Sequence, residues 1–339
     1  MSRPTTNLRW VLAQRPHGMI SEANWKLEQV PVAPLADGEA LVQVLYLSCD
    51  PAMRGWMEDR PSYLPPVGMG EVMRAGGVGR VVESRSPALA AGDVVEGLFG
   101  WQQYAVVKPG TLAGASKLPA GVEPKLAVGA LGTTGLTAYF GLLDLGKPKA
   151  GETVVVSGAA GATGSIAGQI ARIQGCRVIG IAGGRDKCAW LTKEARFDAA
   201  IDYKAGDVAA ELRRLAPQGV DVYFDNVGGA ILDTVLAQIR MKARIVLCGG
   251  ISAYNEVEPP PGPRNLMNLV IQRARMEGFI VIDYAARFAE GREQLRKWME
   301  AGQLAHQEDV VVGIEKAPEG LLRLFAGKNV GKQLVQVAE

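Results

Sequence analysis

Hydrophobic and polar positions change texture three times along this chain. Residues 8–13, 40–47, 79–83 and 93–97 are short β-branched or aromatic runs separated by Gly, Pro and Asp. That pattern predicts an irregular β-barrel or sandwich rather than a βαβ unit. Near Glu123 the texture shifts, and residues 124–130 and 134–145 carry helical spacing. From Thr153 onward short apolar runs alternate with amphipathic ones. Strands are expected at 153–157, 177–182, 199–202, 220–225, 243–248 and 276–281. Helices are expected at 162–174, 186–195, 208–216, 231–239 and 265–273. Six strands in such alternation predict a doubly wound parallel sheet. Beyond the amphipathic stretch 286–301, residues 309–313, 318–326 and 333–337 read again as strand, helix and strand. The chain is therefore expected to return to its first domain: 1–124 and 302–339 form one domain, and 125–301 is an insertion. The run 259–263, Pro-Pro-Pro-Gly-Pro, reads as a stiff loop.

One turn changes the picture from fold to chemistry. Val154, Val155 and Val156 lead through Ser157-Gly158-Ala159-Ala160 into Gly161-Ala162-Thr163-Gly164 and then a helical pattern. Small residues there let a pyrophosphate approach bare backbone N–H groups, and the helix N-terminus adds partial positive charge. A dinucleotide site that takes NAD usually has an acid about 20 residues on, at the end of the next strand. Here that strand runs into Gly183-Gly184-Arg185-Asp186-Lys187. No acid stands at the strand end and two cations follow, which favours a 2′-phosphate and hence NADP(H). Asp186 leaves a choice open: it caps the next helix, or it faces the ribose.

Composition narrows the classes. The 339 residues are 48% hydrophobic and 21% charged, enough for two packed domains. A net charge of +2 argues against a nucleic-acid partner. No apolar run of about 18 residues occurs, and the first residues lead into no signal-type core, so a cytoplasmic protein without a membrane partner is expected. Cys49, Cys176, Cys188 and Cys248 lack the short spacing of zinc ligands, and His17 and His306 are the only histidines. No metal site is expected.

Several stretches carry a resemblance. They are Leu47-Ser48-Cys49-Asp50-Pro51-Ala52-Met53-Arg54-Gly55, residues 135–143, Tyr223-Phe224-Asp225-Asn226-Val227-Gly228-Gly229, residues 248–255 and residues 327–332. Together they resemble the zinc-independent medium-chain dehydrogenase/reductases, in particular the leukotriene B4 dehydrogenase, prostaglandin reductase and curcumin reductase-like group. The resemblance spans about residues 7–337. It implies an α/β protein with a GroES-like β-barrel catalytic domain and a Rossmann NADP(H)-binding domain, and a homodimer. It also implies reduction of the carbon–carbon double bond of α,β-unsaturated ketones or aldehydes with NADPH.

Site residues follow by motif from that resemblance. Gly161, Ala162, Thr163 and Gly164 would hold the pyrophosphate, and Lys187 and Tyr203 the 2′-phosphate, joined by Arg185 from the reading above. Asn226 would close over the cofactor. Cys248, Gly249, Gly250, Ile251 and Ser252 would run along its nicotinamide half, with Phe279, Ile280, Val281 and Asn329 completing that pocket. The chain departs from its relatives at Ala52, where many have Tyr, at Thr133-Thr134, where many have Met-Pro, and at Thr163, where Val is commoner.

Enone reduction needs a donor for the oxygen on which negative charge develops, and a proton, but no strong base. Tyr254 is the candidate catalytic donor, a phenol protonated at neutral pH. The other reading of Tyr254 is a pocket wall, with solvent or the cofactor's ribose hydroxyl as donor. Tyr63, Met53 and Trp56 are candidates for the substrate side. The alternatives are an NADPH quinone oxidoreductase and a non-catalytic NADP(H)-binding protein of the same fold.

Overall fold

The computed structural model describes residues 3–111, 114–119 and 121–339. Met1 and Ser2, the start of the segment expected to lead into no signal-type core, lie outside them. Contacts divide the chain into two units, Met1–Gly129 with Glu308–Glu339, and Ala130–Gln307. Strands and helices are numbered along the chain.

In the inserted unit six strands are hydrogen-bonded side by side: β8 (Thr153–Ser157), β9 (Arg177–Ala182), β10 (Ala199–Asp202), β11 (Val220–Asp225), β12 (Ile239–Leu247) and β13 (Arg275–Gly278). Every pairing is parallel, and the order is β10-β9-β8-β11-β12-β13. The chain starts in the middle, runs to one edge, then crosses to fill the other. Ligands bind outside the carboxyl ends of such strands where the order reverses, here between β8 and β11. The strands form because β-branched residues fill them. Val154, Val155, Val156, Ile179, Val222 and Val246 are buried on a sheet covered on both faces. Helices α4 (Ala162–Ile173), α5 (Arg185–Lys193), α6 (Val208–Leu215) and α7 (Gly229–Leu236) connect successive strands. Helix α4 packs closely: a Cβ at Gly168 would stand 2.0 Å from the Phe197 ring.

The other unit is antiparallel except at one pair. A seven-stranded sheet runs β14 (Glu308–Val312), β15 (Lys332–Gln336), β3 (Ala40–Ser48), β4 (Gly76–Ser84), β5 (Val94–Leu98), β7 (Ala115–Lys117), with β6 (Tyr104–Val107) also on β3; β14 and β15 are parallel. A hairpin of β1 (Thr6–Leu12) and β2 (Trp25–Pro31) stands beside it. The core gathers Val42, Val44, Met53, Phe99 and Trp101. The C-terminal β15 pairs with β3, which places the last residues in the same sheet as residue 40.

Several expectations shift. The helix expected at 231–239 ends at Leu236, and Ile239 already belongs to β12, which starts four residues earlier than expected. The helix expected at 265–273 shrinks to one turn, Asn268–Ile271. Its apolar residues face solvent instead of a core: Met267, Val270 and Ile271 are exposed. The last parallel strand ends at Gly278, so Phe279 and Ile280 lie beyond it and Val281 opens a 3-10 turn. Strands β2, β6 and β7 were not expected.

Candidate active site

The glycine turn sits at the carboxyl end of β8. Gly161 precedes α4 in extended backbone (φ −81°, ψ 171°) with no side-chain cap on the helix. The first N–H groups of α4 are therefore left for a ligand or solvent. The turn tolerates no bulk: a Cβ at Gly164 would stand 2.4 Å from Gly158 O.

Beside it lies the end of β9. Tyr203 folds back over Gly183, where a Cβ would meet the Tyr203 ring and hydroxyl at 2.7 Å. With Tyr203 so placed, a side chain at position 183 would have to displace its ring. Asp202 is committed to the backbone, since its Oδ1 accepts N–H groups from Gly184 at 2.8 Å and Lys204 at 3.0 Å. Arg185 and Asp186 are exposed at the start of α5, and Lys187 is half-buried. No side chain caps α5, so Asp186 is not its cap. The donor set Arg185, Lys187 and Tyr203, with a bare helix N-terminus nearby, fits a dinucleotide carrying a 2′-phosphate.

At the end of β11 stands a residue the motif reading passed over. Asp225 is fully buried, yet no cation pairs with it among the described residues. Its Oδ1 accepts the hydroxyls of Ser157 and Tyr223, both at 2.7 Å, and the N–H groups of Val227 and Gly228 at 3.0 Å. Its Oδ2 accepts the Gly228 N–H at 3.1 Å. Burial, and then the Asp225 charge, hold the Tyr223 phenol well above its ordinary pKa, so it stays a donor. Ser157 Oγ accepts the Asn226 N–H at 2.9 Å, while Asn226 Nδ2 donates to Ser157 O at 2.7 Å. Asn226 thus ties β11 to β8 and does not cap α7, whose N-cap is Gly228.

The loop after β12 lies over this turn. Cys248 and Gly249 donate N–H groups to Asp225 O, Ile251 to Asn226 O, and Ser252 Oγ to Val227 O at 2.6 Å. Burial, reinforced by Asp225, pushes the Cys248 thiol up to about 12. The same loop ends in Tyr254, whose hydroxyl accepts the Gly250 N–H at 3.2 Å. Burial raises the Tyr254 phenol above its ordinary value despite that bond. Its own proton remains available for donation.

Gly161 to Gly164, Asn226, residues 248–252 and Tyr254 therefore belong to one end of one sheet, with Arg185, Lys187 and Tyr203 at the end of β9. Phe279 lies in the same unit, but its ring is packed against Gly141, where a Cβ would approach within 2.4 Å, and edge-on to Tyr284. In the antiparallel unit Met53 has no exposed surface and belongs to the core, so its assignment to a substrate pocket is corrected: no face of it is left for a ligand. Trp56 is half-buried and donates its Nε1 proton to Tyr63 OH at 3.0 Å, leaving Tyr63 46% exposed. Asn329 is buried, with Nδ2 on Gly331 O at 2.9 Å. Cys49 is buried, which raises its thiol to about 12. No three His, Cys, Asp or Glu side chains among the described residues come together as metal ligands.

Comparison with known proteins agrees with this architecture. Residues 8–114 match the family described as the N-terminal domain of oxidoreductase, and 162–300 the zinc-binding dehydrogenase family. The chain belongs to the medium-chain dehydrogenase/reductases, in the group that lacks zinc. It is 44% identical to the NADPH-dependent curcumin reductase of Escherichia coli strain K12, over 98% of this chain and 97% of that one. It is 38% identical to the NADP(+)-dependent 2-alkenal reductase of Nicotiana tabacum, over 100% and 99%. The crystal structure of CurA from Vibrio vulnificus in complex with NADPH superposes with a TM-score of 0.93 at 41% identity, covering 98% of this chain and 99% of that one.

The Asp225 network generates a stability prediction. Ser157→Ala removes one donor to the carboxylate and the acceptor of the Asn226 N–H. Leaving buried polar groups unmatched costs about 1–3 kcal/mol, so urea unfolding should show an unfolding free energy lower by that amount, with a correspondingly lower midpoint. An unchanged midpoint would mean that water satisfies the site and the network carries little.

Proposed function

We propose that this protein is an NADPH-dependent reductase of the carbon–carbon double bond of α,β-unsaturated ketones and aldehydes. The observation that carries the reading is Tyr254: a phenol kept protonated by burial, at the carboxyl end of a parallel sheet, with its oxygen fixed by the Gly250 N–H. Such a group donates to an oxygen that gains negative charge and removes no proton. NADPH, when bound, supplies the hydride. The chain's own residues do the rest. Gly161 to Gly164 leave room for the pyrophosphate, Arg185, Lys187 and Tyr203 hold the 2′-phosphate, and the loop 248–252 with Asn226 shapes the nicotinamide side. Phe279, Ile280 and Val281 contribute there through backbone, since the Phe279 ring is already packed. Asn329 is assigned to the cofactor, and Tyr63 and Trp56 to the substrate. Activity with an enone panel, followed as loss of NADPH absorbance and confirmed by a saturated product, tests the reading. Turnover of quinones alone would favour the quinone oxidoreductase, and tight NADPH binding without turnover a non-catalytic role.

The cationic end of β9 makes the cofactor choice testable. A charge-assisted hydrogen bond contributes roughly 1.5–3 kcal/mol, and about 1.4 kcal/mol is tenfold. Lys187→Ala should therefore weaken NADPH by about tenfold or more and leave NADH nearly unaffected. Equal losses for both cofactors would assign Lys187 a structural role.

For Tyr254→Phe the ring stays and only the donor is lost. Removing an oxyanion donor costs about 10²–10³ in rate, reduced toward about tenfold where a ribose hydroxyl or water competes. NADPH affinity should hold. The phenol is active when neutral and its pKa is raised, so the wild-type rate should show no alkaline fall from this group below pH of about 10. A deuterated cofactor shows whether hydride transfer limits the rate. An unchanged chemical step in the variant would make Tyr254 a wall.

Assembly and compartment complete the proposal. Strand β13 is an edge strand, and Leu266, Met267, Val270 and Ile271 stand exposed near it in sequence. A second copy covering this face gives a homodimer. Light scattering on Val270→Lys/Ile271→Lys should show a monomer where the wild type is dimeric. An unaltered mass would move the interface elsewhere. No helix among the described residues is long and apolar enough to cross a membrane, and a cytoplasmic location suits an NADPH-dependent enzyme.

A further inference from the structure

The opposite end of the parallel sheet carries a basin of about 480 Å³ with no role in the reading above. It lies at the amino ends of β8, β11, β12 and β13, a strand length away from the glycine turn. A strand of five or six residues spans roughly 17–20 Å. Its lining is charged almost throughout. Lys147, Lys149, Lys242, Arg244, Arg273 and Arg275 face Glu152 and Asp221, an excess of four positive charges, with Met241 and Ala243 as the apolar members.

The two acids are already engaged. Glu152 takes Arg244 in a two-pronged ion pair, with Nη1 to Oε1 at 3.0 Å, and Oε2 also accepts the Lys149 N–H at 2.8 Å. Asp221 accepts the Thr153 N–H at 2.9 Å and Arg240 at 3.1 Å. The Arg244 side chain is mostly buried, and its guanidinium also donates to Gly146 O and Lys147 O. It forms a rigid floor that fixes the turn carrying Lys147. Arg275 donates to Leu145 O and Arg273 to Ile271 O. The ammonium groups of Lys147, Lys149 and Lys242 have no hydrogen-bond or ion-pair partner among the described residues.

Backbone conformation supplies an independent observation. Among the described residues four that are not glycine have positive φ: Lys147 (44°), Arg196 (57°), Lys242 (62°) and Arg273 (47°). Three of the four are cations of this basin. Lys147 and Arg273 adopt the left-handed region where helices end, and Lys242 within β12, so these three positions bring cations to the same end of the sheet.

We propose that this basin binds a compact polyanion carrying two or more phosphate groups, independently of the cofactor. Its volume is that of a small-molecule site, and its lining offers nothing to an apolar enone. Unpaired ammonium groups around a guanidinium floor match phosphate oxygens, each able to take several charge-assisted donors. The excess of four positive charges matches the charge of a short polyphosphate.

The test is calorimetric titration of inorganic tripolyphosphate into the full-length protein already saturated with NADPH, so that the phosphate-binding end of β9 is filled. Saturable binding of one tripolyphosphate per chain is expected, weakening with added salt. Lys147→Gln/Lys149→Gln/Lys242→Gln should lose affinity by about tenfold or more, with NADPH affinity and enone turnover unchanged. Lys108→Gln/Lys193→Gln/Lys328→Gln removes the same charge elsewhere and should bind as the wild type. Equal losses in the two triple variants would reduce the effect to general electrostatic attraction and overturn the proposal. Absence of saturable binding in the wild type would overturn it directly.

Discussion

A buried carboxylate without a counter-cation organises the cofactor end of this protein. Asp225 has no exposed surface, and an isolated ionised carboxylate in such a place would be far too costly to bury. Four neighbours' O–H and N–H donors, from Ser157, Tyr223, Val227 and Gly228, meet it instead. Each belongs to a segment the dinucleotide reading requires. Ser157 ends β8 and opens the glycine turn. Val227 and Gly228 form the turn that follows Asn226. The Asp225 main-chain carbonyl anchors Cys248 and Gly249 after β12. A low local dielectric strengthens such a network when complete and penalises every missing member. The three loops therefore hold one another in register before any ligand arrives.

Strand order explains why chemistry gathers there. With β8 central and the chain crossing from β10 back to β11, the loops after β8 and β11 diverge and leave a crevice at the carboxyl ends. The flank of that crevice is tuned by sterics as much as by charge. Tyr203 lies where a side chain at position 183 would be, so the acid that would hold a ribose hydroxyl in an NAD site would have to displace its ring. Asp202 is held by the backbone N–H groups of Gly184 and Lys204. The proposed 2′-phosphate site therefore combines Tyr203, which lies over Gly183, with the cations Arg185 and Lys187.

Much of this was legible in the linear sequence, and the limits have physical causes. The central strands β8, β9 and β11 read clearly because strands buried on both faces are near-continuous apolar runs. The glycine turn and the acid-free end of β9 read clearly because both signals are local. The role of Asp225 did not, since its partner Ser157, 68 residues away in the chain, meets it only after β8 and β11 pair. Residues 265–273 misled because apolar spacing predicts a buried helical face, whereas these residues stand exposed around a single turn. Met53 misled for the opposite reason: a methionine in a site motif is as often core, and only packing decides. Strand β2, with its mixture Trp-Lys-Leu-Glu-Gln-Val-Pro, is half-exposed and gives no clean alternation.

Where this chain departs from its relatives, the fold indicates what kind of difference to expect. Thr133 and Thr134 occupy the first two positions of the helix Thr133–Phe140. Proline is accepted in a first helical turn because its missing N–H would have had no intrahelical partner. Exchanging Met-Pro for Thr-Thr there leaves the helix intact and replaces an apolar surface with two hydroxyls and a backbone N–H. Thr133 is exposed, and the helix holds its own geometry through Thr137 Oγ1 donating to Thr133 O at 2.7 Å. At the other position, Ala52 precedes the turn Met53–Trp56, so the Tyr common in relatives is replaced by a methyl group on an otherwise similar backbone. Neither change touches the Asp225 network or the end of β9. Thr133 is exposed and Ala52 half-buried, so both positions differ in side-chain chemistry on elements whose backbone is regular without them.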